Sequence, residues 1–163
     1  MSVMRITILA IGRMKSGPET ELAKRYMKRF DGTARALGFN AINVVELPES
    51  RDGNAAVRKQ DEAARLLAKA GSDVTLIALD EYGGSQSSAD FAHMLARYRD
   101  DGAAEMVFLI GGPDGPGEAA LAAARETLAR GAMTLPHGLA RVVVLEQLYR
   151  AATILSGHPY HRA

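Results

Sequence analysis

Two runs constrain this chain most: Val74 to Leu79 (VTLIAL) and Met106 to Ile110 (MVFLI). Each is almost wholly apolar. A strand with one wet face alternates apolar and polar residues, so a run without polar positions must be covered on both faces. Sheets of that kind carry helices on either side. The two runs therefore predict an α/β fold with a mostly parallel sheet.

The rest of the chain fits that expectation. Val3 to Ile11 is rich in β-branched residues and reads as a first strand ended by Gly12. From Glu19 the spacing becomes helical, with Leu22, Tyr26 and Phe30 on one face, Met27 beside them, and Lys24, Arg25, Lys28 and Arg29 on the other. Ala41 to Leu47 is a second strand closed by Pro48, and Glu49 to Asn54 is a loop. A helix over Ala55 to Ala70 places Val57, Ala64 and Leu67 inward, with Gly71 as its stop. After VTLIAL, the stretch from Tyr82 through Ser88 reads as a loop with Ser88 as an N-cap, followed by a third helix marked by Phe91, Leu95 and Tyr98. Beyond MVFLI, Gly111 to Gly117 is a sharp loop, Glu118 to about Leu128 is Ala-rich and helical, and Ala132 to Leu135 is a short extended piece. Leu139 to Leu155 contains Val142-Val143-Val144, which would suit a strand, but seventeen residues without a breaker favour helix. It is apolar nearly all round, which predicts burial on most sides.

Composition closes off several alternatives. A length of 163 residues suits one domain over 1–163, and 47% hydrophobic with 24% charged residues is ordinary for a folded globular chain. There is no cysteine, so disulfides, thiolate metal sites and Cys nucleophiles are excluded. No run approaches the ~20 apolar residues of a membrane span, and Ile6 to Ile11 is too short for a secretory core, so a cytoplasmic location is expected. The net charge of +1 is unevenly spread. Residues 1–40 hold eight Lys/Arg against three Asp/Glu, residues 141–163 hold three against one, and the middle is acidic. Basic ends that meet in space would form a polyanion-binding face; a solvated helix face is the plainer reading.

Motifs narrow the chemistry. Gly115-Pro-Gly-Glu-Ala-Ala matches G-x-G-x-x-A between a strand and a helix. The ribose-binding acid expected ~20 residues later is missing, however, and Pro113, Asp114 and Pro116 remove amides or add negative charge where a pyrophosphate would sit. No Lys-Ser/Thr follows to make a P-loop. The loop is then either a tight strand-to-helix turn, or a place where Gly111 and Gly112 let a flat ligand lie against bare backbone. His158 and His161 have H-x-x-H spacing but no third ligand, so no metal site is expected. There is no nucleophile-elbow motif, and the pairs Asp80-Glu81 and Asp100-Asp101 read as solvated turns. The tail, His158-Pro-Tyr-His-Arg, is either a frayed terminus or a cluster able to stack on a base, bind phosphate or move a proton.

Four blocks, in order, carry a resemblance: Phe108-Leu-Ile-Gly-Gly-Pro-Asp-Gly, Met133-Thr-Leu-Pro-His, Arg141-Val-Val-Val-Leu-Glu-Gln-Leu-Tyr-Arg-Ala and Gly157-His-Pro-Tyr-His-Arg. Together with the N-terminal Ile6 to Lys15 and Leu79-Asp80, they closely resemble the RlmH (YbeA) family of SPOUT-class methyltransferases, and the likeness spans the whole chain. The resemblance implies a SPOUT-type α/β-knot fold with a C-terminal trefoil knot, and a homodimer. It implies S-adenosyl-L-methionine as cofactor, held by Leu79, Gly111 and the segment Arg130, Gly131, Ala132, Met133, Thr134 and Leu135. The reaction it implies is methylation of N3 of a pseudouridine in helix 69 of 23S ribosomal RNA on the assembled ribosome. Tyr160 and His161 are the candidate catalytic residues, and Arg141, His158 and Arg162 the candidate RNA contacts. Arg130-Gly131-Ala132 and the loop Glu49 to Asn54 depart from the family pattern. The rivals are a SPOUT enzyme acting on another RNA such as transfer RNA, a ribosome-binding protein without catalysis, and a nicotinamide-binding protein built on the glycine-rich loop.

Overall fold

The computed structural model describes residues 3–129 and 135–161. Five strands join one sheet: β1 (Met4–Ile11), β2 (Phe39–Leu47), β3 (Thr75–Gly84), β4 (Glu105–Ile110) and β5 (Glu126–Leu128). Their order is β2-β1-β4-β3-β5, and every pairing is parallel. The helices are α1 (Pro18–Ala34), α2 (Ala55–Ala70), α3 (Ser88–Asp100), α4 (Glu118–Ala123) and α5 (His137–Ser156).

The apolar strands are covered as their sequence requires. In β4, Met106, Phe108 and Ile110 join the core formed with α1, α3 and α5. Val107 and Leu109 of the same strand face the other way, onto Ala63 and Leu66 of α2 and Ala120 of α4. In β1, Ile6, Ile8 and Ala10 divide from Leu9 and Ile11 in the same manner. Period-2 alternation thus sends successive apolar side chains into two different cores.

Helix α5 lies between α1 and α3. Its inner positions, among them Ala140, Val144, Leu145, Leu148 and Ala152, are buried. Much of the burial expected for this segment is therefore supplied within the chain. Ser88 Oγ donates to Gln147 Oε1 at 2.7 Å and ties α3 to α5.

Several expectations need correction. The helix expected over Glu118 to Leu128 ends at Ala123, where Ala124 turns to extended backbone. Arg125 N donates to Leu76 O at 2.7 Å and starts β5. Three residues are too few to show a period, and the alanines around them mask the change. The stretch Tyr82-Gly-Gly, expected as loop, belongs to β3: Leu79 and Gly84 both pair with Leu128, and the residues between them bulge outward. The N-cap of α3 is Ser87, whose Oγ accepts from Asp90 N at 3.0 Å, rather than Ser88. On α2 the buried face is Glu62, Ala63 and Leu66, while Val57 and Ala64 are exposed. Buried Glu62 accepts from Ser50 N at 2.9 Å and so turns that face toward the loop before the helix. The extended piece expected over Ala132 to Leu135 lies, apart from Leu135, outside the described residues. So do Arg130 and Gly131.

Candidate active site at the ends of β3 and β4

In an open parallel sheet, ligands bind beyond the carboxyl ends of strands where neighbouring connections diverge. Here the chain leaves β1 toward β2 on one side and leaves β4 toward β5 on the other. A cavity of about 350 Å³ opens at the ends of β3 and β4, a size that suits a small organic ligand. Its walls include Leu79, Ile110, Gly111, Leu135, His137 and Ala140.

The glycine-rich loop forms one wall and is built tightly. Gly115 N donates to Gly112 O at 3.0 Å, closing the turn. A Cβ on Gly111 would lie 2.5 Å from the carbonyl carbon and oxygen of Gly115 and from Pro116 N, so no other residue fits there without opening the loop. Arg58 of α2 holds the loop from outside, its Nε donating to Asp114 Oδ2 at 2.8 Å. That hydrogen bond keeps the Asp114 carboxyl below its usual pKa, and it directs the charge toward Arg58.

The charges around the cavity are mostly negative. Asp80, Glu81 and Glu118 line it, together with Asp114 already paired to Arg58, against Lys59 as the cationic side chain among its described lining residues. A pyrophosphate would be poorly received. A ligand with a flat apolar ring and a net positive charge, such as a sulfonium bearing an ammonium group, suits apolar walls, a bare glycine backbone and an acidic rim. The residues present thus fit S-adenosylmethionine better than a nicotinamide dinucleotide.

The expected contacts Leu79, Gly111 and Leu135 all lie on this cavity. Arg130, Gly131, Ala132, Met133 and Thr134 lie outside the described residues, as does Arg162. Among the described residues no cluster of His, Asp or Glu could hold a metal.

The tail is arranged elsewhere. Tyr160 packs on Tyr149 of α5 with ring centroids 4.6 Å apart, and the Arg150 guanidinium lies 5.1 Å from the Tyr160 ring centroid. Arg29 of α1 sits over the rings of Tyr26 and Tyr149 at 5.8 and 5.9 Å. The two basic ends of the chain therefore do meet, with Lys24, Arg25 and Lys28 exposed along α1. His158 Nδ1 accepts from Tyr160 N at 3.1 Å, so the tail is folded back on itself rather than frayed. Burial, a hydrogen bond with Tyr26 and the nearby Glu146 charge push the Tyr160 phenol up to about 12. At neutral pH it is a hydrogen-bond donor, not a base. None of His158, Tyr160 and His161 lines the cavity of its own chain.

Arg141 requires a correction. Expected as an RNA contact, its side chain is 3% exposed. It pairs with Glu46, donates to Gly12 O at 3.1 Å, and lies 3.1 Å from His137 Nε2. A guanidinium enclosed by three protein partners is not offered to a phosphate. The Glu46 pKa moves in the direction this pairing requires. Burial alone would raise it, but the hydrogen bonds from Arg141 and Met14 N and the charges of Arg141 and Arg13 together hold it below the usual value. His137 itself was legible only as part of the block Met133-Thr-Leu-Pro-His; spacing shows no reason to single it out. The Arg58–Asp114 tie joins positions 56 residues apart and leaves no local signal.

These features define a class. A five-stranded parallel sheet with a glycine-walled cavity at the ends of its strands accompanies a full-length match to the family model described as "Predicted SPOUT methyltransferase", over residues 4–161. The chain belongs to the SPOUT methyltransferase family. Within it, the chain is 50% identical over 160 residues to a protein of Bradyrhizobium diazoefficiens named ribosomal RNA large subunit methyltransferase H, covering 98% of this chain and 100% of the relative. A protein of Nitrobacter hamburgensis with the same name is 52% identical over 159 residues, covering 98% and 99%. Two solved structures share the fold. A probable methylase family protein from Haemophilus influenzae has a TM-score of 0.57 at 16% identity, over 97% of this chain and 70% of that one. A probable methyltransferase from Bordetella pertussis has a TM-score of 0.56 at 18% identity, over 91% and 95%.

Proposed function

We propose that this protein is an S-adenosylmethionine-dependent methyltransferase of large-subunit ribosomal RNA, modifying N3 of a pseudouridine in helix 69 of the 23S RNA on the assembled ribosome. The observation that carries the reading is the cavity at Leu79, Gly111 and Leu135, apolar and glycine-walled with an acidic rim, in a chain about 50% identical end to end to proteins named for this reaction class.

The cofactor, when bound, supplies a methyl group already activated on a sulfonium. The chain's own residues must then bind, orient and deprotonate. Leu79, Ile110 and Leu135 exclude water from the ring they enclose, and Gly111 lets that ring approach the backbone. The acidic rim favours a cationic ligand. The N3 proton of a pseudouridine has to leave as the N3–CH₃ bond forms. In the tail, His161 is suited to accept it and Tyr160, protonated at neutral pH, is suited to donate a hydrogen bond to a base carbonyl. His158 and Arg162, with the exposed Lys24, Arg25 and Lys28 of α1, supply charge for the RNA backbone.

The tail rests on α1 and α5 and not on its own chain's cavity. A homodimer, in which a second copy brings its tail to that cavity, supplies both halves of the site. The location this implies is the cytoplasm, where ribosomes are. Among the described residues no helix is long and apolar enough to cross a membrane.

The test is transfer of tritium from methyl-labelled S-adenosylmethionine to intact ribosomes, followed by mass spectrometry of the modified nucleotide. Methyl on N3 of a helix 69 pseudouridine is the expected result. Transfer to another RNA would overturn the substrate assignment, and cofactor binding without transfer would overturn the catalytic one.

A further inference from the structure

The wall of the cavity contains one imidazole whose state is dictated by a neighbour. His137 begins α5, and its Nε2 lies 3.1 Å from an Nη of Arg141. Arginine has only donors and keeps its proton throughout the accessible pH range. The contact is therefore a hydrogen bond only if Nε2 offers its lone pair, which requires the ring proton on Nδ1. Arg141 is held in place because Nη1 is paired with Glu46 and Nη2 also donates to Gly12 O, and its side chain is 3% exposed. A second proton on the ring would set two cations nose to nose in a part-buried place.

We propose that Arg141 and Glu46 are a positioning pair that fixes His137 as a neutral imidazole, protonated on Nδ1, in the wall of the cofactor cavity, so that the cavity presents no titrating positive charge to a cationic ligand. The inference rests on the cofactor reading above for its purpose, but not for its geometry.

Other charges face this ring. Glu49 lies beside Gly12, where a Cβ would be 3.4 Å from both Glu49 Oε1 and His137 Nε2. Arg13 adds its charge to Glu46 from the end of β1. Glu19 of α1 packs against the next residue, Gly138. Across the cavity stand Lys59, Asp80, Glu81, Asp114 and Glu118. The carboxylates would favour a protonated ring, but none of them removes the requirement that the nitrogen nearest Arg141 keep its lone pair.

Protein labelled with ¹⁵N-histidine separates the possibilities by long-range proton–nitrogen correlation, with His137 assigned by its loss in His137→Gln. The expected spectrum shows Nε2 unprotonated and Nδ1 protonated from pH 8 to 5.5. Titration of S-adenosylmethionine by calorimetry should give an affinity constant within about twofold over that range. In Arg141→Met, His137 should titrate near the ordinary ~6.5, and affinity should fall at least threefold between pH 7.5 and 5.5. A wild-type His137 that titrates near 6.5, or that carries its proton on Nε2, overturns the proposal, and this spectrum decides even if Arg141→Met does not fold. Absence of S-adenosylmethionine binding at every pH would instead overturn the cofactor reading and leave the tautomer assignment standing.

Discussion

At Gly111 the constraint is a distance. Any side chain there would overlap the backbone of Gly115 and Pro116 at 2.5 Å, so the loop that walls the cavity must open to admit one. Gly111→Val is expected to cost about 1–3 kcal/mol of stability, the usual range for overpacking. S-adenosylmethionine binding should weaken at least tenfold while the fold persists. Calorimetry with thermal unfolding checks both; unchanged affinity would move the pocket elsewhere. Arg141 shows the complementary case. Its position in a conspicuous block suggested a residue offered to a ligand, and burial beside Glu46 turned it into an internal tie between β2 and α5. Nothing in a linear sequence distinguishes an arginine reaching outward from one reaching inward, because the difference lies in a partner 95 positions away.

Among the elements, the ones the sequence shows best are those whose pattern is long. Strands β1 and β4 and helices α1, α2 and α5 fall close to where apolar runs and breakers put them, because each is long enough or apolar enough to mark its own bounds. The short β5 and the bulged end of β3 do not, since both exist only as partners of each other. Helix α5 contributes several buried side chains to the larger core. Leu148 is fully buried in the layer shared with α1 and the sheet. Leu148→Ala should therefore destabilise the protein by about 2–5 kcal/mol, measured by denaturant unfolding. A loss below 1 kcal/mol would mean that α5 is held by something other than this core.

For the molecule as a whole, the cavity and the tail occupy different places, and the proposed function calls on both. Truncation after Gly157 removes Tyr160 and its contact with Tyr149 but leaves the sheet and the cavity intact. The shortened protein should bind S-adenosylmethionine within about threefold of the full chain and transfer no methyl to ribosomes. Full transfer by the truncated protein would exclude the tail from the mechanism.

By itself the sequence determined the layer architecture, because strands apolar on both faces admit few arrangements. It determined the absence of thiol chemistry. Through four spaced blocks, it also determined the family. Leu79, Gly111 and Leu135 stood out as candidates through strand ends and the matching motif blocks, and all three line the cavity. Only the tertiary structure decided which side chains face that cavity and which brace it. His137, the Arg58–Asp114 tie and the inward turn of Arg141 depend on contacts between segments far apart in the chain. Hydrophobic periodicity reports the solvent boundary of a single element, whereas the pairing of polar groups across elements is set by how those elements pack.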